Sequence, residues 1–76
     1  MFVIPRADEI RNRRLKAGLD MKELSTKASL PGNAILRIER HETTRTNHLR
    51  AQAIANALGC PVEELFDVPG AKNKTA

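Results

Sequence analysis

The chain has 76 residues, a length that fits one small domain and leaves little volume for the elaborate cleft of an enzyme. Thirteen Lys and Arg against nine Asp and Glu give a net charge of +4, which favours a polyanionic partner but is also compatible with an incidentally basic surface. There is no Trp or Tyr and there are only two Phe, so aliphatic side chains must form the core.

Nothing in the sequence indicates secretion or a membrane. The single cysteine, Cys60, excludes an intrachain disulfide and fits a reducing cytoplasm. The N-terminal MFVI is shorter than the apolar core of a signal peptide. No apolar run approaches the ~18 to 20 residues that span a bilayer. We therefore expect a soluble cytoplasmic protein with no membrane partner.

Residues 1–6 are interpreted as a short apolar N-terminal arm that ends near Pro5. The pattern then becomes helical, and Asp8 is the kind of acidic residue that favours a first turn. Gly18 is typical of the residue that follows a helix C-terminus. These features predict the first helix over residues 7–17.

A second helix follows at once. Asp20 is a good N-cap residue, and Glu23 completes the pattern of a capping box. The predicted helix is short, covering residues 21–28. Ser29 and Leu30 form a tight link to the element that follows.

A third helix is predicted over residues 31–41, with residues 31–33 as its first turn. Pro31 is tolerated there because the missing N–H would have no partner within the helix. Ile35 and Ile38 give this helix an apolar stripe. The opposite side is largely basic.

The second half of the chain continues the helical pattern. After a polar loop over residues 42–47, HLRAQAIANALG places apolar residues at helical spacing, and Gly59 ends the helix. Pro61 opens a short fifth helix, VEELF. Residues 68–76 are interpreted as a flexible tail. No strand-like alternation occurs, so the predicted fold class is all-α with five short helices.

Three stretches follow the order, and nearly the spacing, of one family: IRNRRLKAGLDMKELS, then AILRIER, then AIANALGCPVEELF. The chain over residues 10–66 resembles the Cro/cI-type (XRE-like) DNA-binding domain of phage and bacterial repressors. The resemblance implies a compact lambda-repressor-like domain over residues 7–67 with a helix-turn-helix, whose second helix lies in the major groove. It implies a sequence-specific double-stranded DNA-binding regulator, a repressor, that is bacterial or phage-encoded and associates with the nucleoid.

The sequence departs from the family pattern at several positions. Met21 stands where the family usually has a Gln that helps to clamp a phosphate, although backbone N–H groups at a helix start can still do so. Ser29 replaces the usual Gly between the second and third helices. His41 replaces the usual Gly after RIER, and the loop that follows is slightly longer than is common.

Candidate base-contacting residues lie opposite the apolar stripe of the third helix. These outward-facing residues are Gly32, Asn33, Leu36, Arg37 and Arg40. Asn33 can pair with adenine, Arg37 can contact guanine or a phosphate, and Leu36 can pack on a thymine methyl group. By the resemblance, Gly32, Asn33 and Leu36 occupy the family's main base-reading positions. The alternatives are a plain helix cap for Asn33 and a contact with a protein partner for Leu36.

Phosphate contacts position such a complex and supply its salt-dependent affinity. The candidates are Met21 through its backbone N–H, Lys22, Lys27, Arg40, Thr43, Thr44, Arg45 and Asn47. A solvated surface is the alternative for each of them. By the same resemblance, Arg14 pairs with Glu39 in a structural salt bridge that ties the first helix to the third. If the pair is buried, deletion of one partner should destabilise the fold by on the order of 3 kcal/mol.

The expected partner is a double-stranded DNA operator, bound by a homodimer whose contact surface involves the fifth helix or the N-terminal arm. The main alternative keeps the fold but makes a regulatory protein the chief partner, as in an antirepressor or antitoxin. Pro31, Gly32 and Leu36 support it, because they make the tip of the third helix less polar than a typical DNA reader.

No catalytic residue, cofactor or metal is expected, and the chain is not predicted to be an enzyme. The spacing of His41, His48 and Cys60 matches no compact zinc pattern. There is no Gly-rich phosphate loop, Ser nucleophile elbow or paired-carboxylate signature. None of the predicted helices has the wholly basic polar face of a membrane-surface helix.

Overall fold

The structure, a computed structural model, describes residues 2–68, so the tail predicted over residues 68–76 lies outside the described residues from residue 69 onward. The helices are α1 (Ala7–Lys16), α2 (Met21–Lys27), α3 (Ala34–Glu39), α4 (His48–Leu58) and α5 (Val62–Leu65). The strands are β1 (Phe2–Pro5), β2 (Thr46–Asn47) and β3 (Phe66–Asp67). The five predicted helices are confirmed, and the division of the chain into arm, domain and tail stays a prediction.

Aliphatic side chains from all five helices form the core, as the composition predicts. Strands contribute Val3 and Phe66. The buried set is Val3, Ile10, Leu24, Ala28, Ile35, Ile38, Ala51, Ile54, Ala55, Leu65 and Phe66. In α3 the helical period turns the two Ile of this set inward and leaves Arg37 and Arg40 exposed. The outer side of α3 is therefore open to a partner.

Three short strands form a sheet in the order β2-β1-β3, so the expectation of helices alone is wrong. The central strand, β1, is antiparallel to both neighbours: Val3 pairs with Thr46, and Ile4 pairs with Asp67. Val3 is buried whereas Phe2 and Ile4 are exposed, which is the alternation of a strand. The segment interpreted as an arm is thus hydrogen-bonded to two later parts of the chain. Two-residue partner strands are too short to show an alternation in the sequence.

α2 begins with the predicted capping box. The Asp20 Oδ1 atom accepts a hydrogen bond from the Glu23 N–H at 2.7 Å, and the Glu23 Oε1 atom accepts one from the Asp20 N–H at 2.9 Å. The two bonds satisfy donors that the helix itself cannot satisfy. They fix the point at which α2 starts.

The first four helices end with the same hydrogen-bond pattern. Each is followed by a residue with left-handed backbone: Gly18, Ser29, His41 and Gly59, with φ of 72°, 60°, 62° and 70°. The next residue donates its N–H to the fifth carbonyl back, over 2.8 to 3.1 Å, in a Schellman arrangement. The predicted glycine stops are confirmed. Ser29 and His41 stand where the family usually has Gly, and both have this left-handed backbone. An L residue is strained in this conformation.

α3 is shorter than predicted at both ends. Residues 31–33 form a turn that precedes the helix, in which the Ala34 N–H donates to the Pro31 carbonyl oxygen at 2.9 Å. Asn33 is the N-cap residue and does not lie within the first turn. Gly32 is a poor helix former, which favours the turn. The left-handed backbone at His41 likewise excludes that residue from the helix.

Candidate nucleic-acid interface

A buried hydroxyl joins α2 to the start of α3. The Ser25 Oγ atom donates to the Met21 carbonyl oxygen at 2.8 Å and accepts from the Ile35 N–H at 3.1 Å. The first N–H groups of a helix have no partner within it, so Ser25 supplies one from the neighbouring helix. This bond fixes the spacing of the two helices. The role of Ser25 could not be predicted from the sequence, because a bond between separate helices leaves no periodic signal.

The Arg14 guanidinium contacts α3 and the turn between α1 and α2. Its Nε and Nη2 donate to the two carboxylate oxygens of Glu39 at 2.7 and 3.0 Å, and its Nη1 donates to the Leu19 carbonyl oxygen at 2.9 Å. Both charged side chains are 9% exposed. The hydrogen bond to Glu39 raises the pKa of Arg14 even though burial lowers it, so the guanidinium remains charged. The pair stabilises the inner side of α3.

The tip of α3 presents a free side-chain amide. Asn33 is exposed, and within residues 2–68 its side chain makes no capping hydrogen bond although it holds the N-cap position. The neighbouring Gly32 is also exposed, and a Cβ atom added there would lie 4.0 Å from the Lys22 Cγ atom, an ordinary van der Waals distance. The tip of α3 and the start of α2 therefore lie side by side at the surface.

The remainder of the outer side of α3 contains one half-buried apolar residue and two arginines. Leu36 is half-buried. The Glu42 Oε1 atom lies 3.9 Å from Arg37 Nε, and the Glu42 Oε2 atom lies 3.3 Å from Arg40 Nε. The side chains of Arg37, Arg40 and Glu42 are 56%, 64% and 47% exposed. Exposed pairs of this kind contribute little to stability.

A groove of about 300 Å³ lies between the start of α3 and the start of α4. Its apolar lining includes Leu30, Ile38 and Ile54, and its polar lining consists of Asn33, Arg37, Thr43, Arg45, Thr46, Asn47 and Arg50. Thr46 is 5% exposed, and its Oγ1 atom has no hydrogen-bond partner among the described residues. The groove thus brings three of the predicted loop residues next to two of the predicted base-contacting residues.

Several cations on α2, on α4 and in the loop that precedes α4 have no acidic partner. In the part of the chain that the structure describes, no ion pair forms at Lys22, Lys27, Arg45 or Arg50. All four are exposed. Arg50 was not among the predicted contacts, because the apolar pattern of its helix does not show which neighbour the polar side faces. A phosphate can replace water at these groups without first breaking a salt bridge.

The remaining predicted phosphate contacts have different surroundings. Met21 is half-buried and packs against the core, which leaves its backbone N–H as the relevant group. The Asn47 Oδ1 atom accepts a hydrogen bond from the Leu49 N–H at 2.7 Å and so caps α4. Thr44 is exposed but does not line the groove.

Three further features of residues 2–68 concern metal binding, the reactivity of the thiol and membrane-spanning helices. They contain no group of three or more His, Cys, Asp or Glu side chains placed to hold a metal ion. Burial raises the pKa of the Cys60 thiol, although the nearby Arg13 acts in the opposite direction, and a raised pKa makes a thiol less reactive near neutral pH. Over the same range no helix has both the length and the apolar character needed to cross a membrane.

Comparisons with known proteins agree with this geometry. A family model described as helix-turn-helix matches residues 10–65, from α1 to α5. The crystal structure of the hypothetical transcription factor NHTF from Neisseria is similar, with a TM-score of 0.74 and 23% sequence identity, covering 92% of this chain and 79% of that chain. At this identity the likeness shows a shared fold. No curated protein gives a significant match.

Proposed function

We propose that this chain, which belongs to the XRE-type helix-turn-helix family, is a transcriptional regulator that binds double-stranded DNA. In such a motif the second helix enters the major groove and the first crosses the backbone. These helices are α3 and α2 here. We infer a sequence-specific repressor that acts in the cytoplasm, on the nucleoid of a bacterium or on phage DNA.

The observation that carries this proposal is the free amide of Asn33 at the exposed tip of α3. A side chain already bonded to its own backbone would have to break that bond to reach a base, whereas Asn33 does not. Its amide can make paired hydrogen bonds with adenine. Arg37, one turn along, can reach guanine or a phosphate, and Leu36 can contact a thymine methyl group. Gly32 lets the backbone approach the bases.

Phosphate contacts on both sides of α3 would position that helix in the major groove of the DNA. On the α2 side we assign Lys22, Lys27 and the Met21 backbone N–H. Beyond α3 we assign Arg40, Thr43, Thr44, Arg45 and Asn47, and we add Arg50 because it is exposed and lines the protein groove between α3 and α4. Neutralising phosphates with unpaired cations releases counterions, so affinity should fall steeply with added salt.

The proposal is tested by selecting bound duplexes from a random DNA pool. Wild-type protein should enrich a defined sequence. Asn33→Ala should relax the preference at one adenine position by about 1–3 kcal/mol, which is roughly fivefold to 150-fold, while the urea midpoint of unfolding stays within error. A pool with no enrichment after selection by the wild-type protein contradicts sequence-specific binding.

Gly32→Ala gives an independent test of the docking geometry. The protein itself has room for the added methyl group, since the nearest heavy atom beyond the adjoining residues, Lys22 Cγ, is 4.0 Å away. The substitution should therefore leave folding unchanged. If α3 lies in the major groove, the methyl group meets the DNA, and affinity for the selected duplex should fall by at least several-fold. Unchanged affinity argues against close approach at this position.

We propose that the regulator acts as a homodimer on a two-fold operator. Phe2 and Ile4 on β1 and Leu49 on α4 are large exposed apolar side chains, and the first two belong to the segment expected to form a dimer contact. A dimer of helix-turn-helix domains places its half-sites about 34–36 Å apart. The selected sequence should therefore contain inverted repeats at that spacing, and a single half-site would count against the dimer.

The alternative is an antirepressor- or antitoxin-like protein whose chief ligand is another protein. The observation that favours it is the presence of two apolar side chains, the exposed Pro31 before α3 and the half-buried Leu36 on it, at the proposed DNA-reading surface. Capture of a regulatory protein that tolerates Asn33→Ala and high salt, together with no enrichment of any duplex, would support this alternative. A steep dependence of DNA binding on salt would support the DNA-binding proposal.

A further inference from the structure

We propose that Glu42 competes with DNA for Arg37 and Arg40 and thereby sets the affinity of the protein for DNA. This inference rests on the proposed function, which places both arginines at the DNA. The carboxylate lies 3.9 Å from Arg37 Nε and 3.3 Å from Arg40 Nε. All three side chains are exposed, so the arginines can exchange this carboxylate for a phosphate or a base edge.

The end of α3 places Glu42 beside these arginines. His41 has the left-handed backbone that ends the helix, and the Glu42 N–H donates to the Arg37 carbonyl oxygen at 2.8 Å. The Thr43 N–H donates to the same oxygen at 3.1 Å. These two backbone bonds direct the chain back over the last turn of α3. The carboxylate is therefore positioned by the main chain and not only by its attraction to the arginines.

The position of Glu42 is poor for stability, which points to a role in binding. A carboxylate next to the C-terminal end of a helix faces the negative end of the helix dipole. Its ion pairs are exposed and weak. Near DNA, however, the same charge lowers affinity for two reasons. It occupies Arg37 and Arg40, and it repels the phosphates.

Neutralising this carboxylate should strengthen DNA binding. Glu42→Gln keeps the size and shape of the side chain and removes its charge. We expect about threefold to tenfold tighter binding both to the selected duplex and to unrelated DNA, since the phosphate term does not depend on sequence. The plot of log affinity against log salt concentration should steepen by about 0.9 for each additional phosphate that is neutralised.

Asp8→Asn is the matched control. Asp8 is exposed on α1, outside the proposed DNA and dimer contacts, and within the described range it forms no ion pair. Both variants change the net charge by one unit, so a general charge effect raises both affinities equally. Under the proposal, Asp8→Asn changes affinity by less than twofold. Equal gains in the two variants, or no gain in Glu42→Gln, overturn the inference.

A double-mutant cycle tests whether Glu42 acts through the arginines. The gain from Glu42→Gln is measured again in a protein that also carries Arg37→Gln and Arg40→Gln, with affinities determined at low salt. The gain should shrink to less than twofold, and persistence of the full gain would mean that Glu42 acts by simple repulsion. Failure of wild-type protein to bind any duplex would refute the proposed function and this inference together. Salt-sensitive binding by wild type with no response to Glu42→Gln would refute this inference alone.

Discussion

The inner and outer sides of α3 contain similar charged groups in opposite situations. On the inner side, Arg14 and Glu39 share two hydrogen bonds and are 9% exposed. On the outer side, Arg37 and Arg40 lie near one exposed carboxylate, at 3.9 and 3.3 Å. Burial makes an unpaired charge costly, so the inner groups must satisfy each other, whereas the outer groups remain available to a partner. Inner substitutions should therefore change folding, and outer substitutions should change binding.

Loss of the buried ion pair should have the largest effect. Arg14→Ala leaves the Glu39 carboxylate buried without its cation and leaves the Leu19 carbonyl oxygen without this donor. Deleting one partner of a buried pair costs about 3–5 kcal/mol, a large part of the stability of a small domain. We expect a strongly lowered urea midpoint, followed by circular dichroism.

Arg6→Ala provides a matched control for that substitution. Arg6 also makes two hydrogen bonds to one carboxylate, at 3.0 and 2.7 Å to Asp67 Oδ1, but both side chains are nearly half exposed. An exposed pair contributes about 0–1 kcal/mol. Equal losses in the two variants would contradict the distinction between buried and exposed pairs.

The next largest effect should follow removal of the hydroxyl between α2 and α3. Ser25→Ala leaves the Ile35 N–H buried without its acceptor, which costs about 1–3 kcal/mol in the free energy of unfolding. Thr26→Ala is the control on the adjacent exposed position, where a change within about 0.5 kcal/mol is expected. If both variants unfold at the same urea concentration, Ser25 does not have this structural role.

On the outer side, Arg50 should affect binding and leave folding unchanged. It lines the groove, and within residues 2–68 it has no ion-pair partner. Arg50→Ala should weaken DNA binding about threefold to tenfold and reduce the salt slope by about 0.9. Arg11→Ala, which removes the same charge from α1 outside the groove, should change affinity by less than twofold. Equal effects of the two variants would mean that only net charge matters.

Local signals in the sequence predicted the five helices but not the contacts between distant segments. The capping box at Asp20 and Glu23 and the glycine stops depend on neighbouring residues, so they could be found from the sequence. The pairing of β1 with β2 and β3 joins segments far apart in the chain, and the two partner strands are only two residues long. No local pattern encodes such pairing.

The candidate site shows the same division between local and distant effects. The outward direction of Arg37 follows from the helical period, whereas Asn33 lies in the turn that precedes α3. The start of α3 at Ala34 depends instead on the turn before it and on Ser25 in another helix, and neither is visible as periodicity. Arg50 was missed for a similar reason, because its relevance depends on how α4 packs beside α3.

The smallest expected effect concerns the turn between α2 and α3, where an exposed residue has a structural role. Ser29 has φ of 60°, and the left-handed conformation costs an L residue about 1–2 kcal/mol. Glycine removes this strain but loses more entropy on folding, about 0.5–1 kcal/mol. Ser29→Gly should therefore raise the free energy of unfolding by about 0.5–1 kcal/mol, as measured by urea denaturation. His41→Gly should raise it less, because His adopts this conformation more readily than most residues.

Ser29→Gly also separates exposure from availability to a partner. The backbone bond that ends α2, from the Leu30 N–H to the Ser25 carbonyl oxygen at 2.8 Å, does not involve the Ser29 side chain. Affinity for the selected duplex should therefore stay within twofold while stability rises. A clear loss of affinity would instead assign the Ser29 hydroxyl to the DNA contact. Higher stability with unchanged affinity would show that Ser29, although exposed, does not contact DNA. Exposure alone would then not identify the residues that bind DNA.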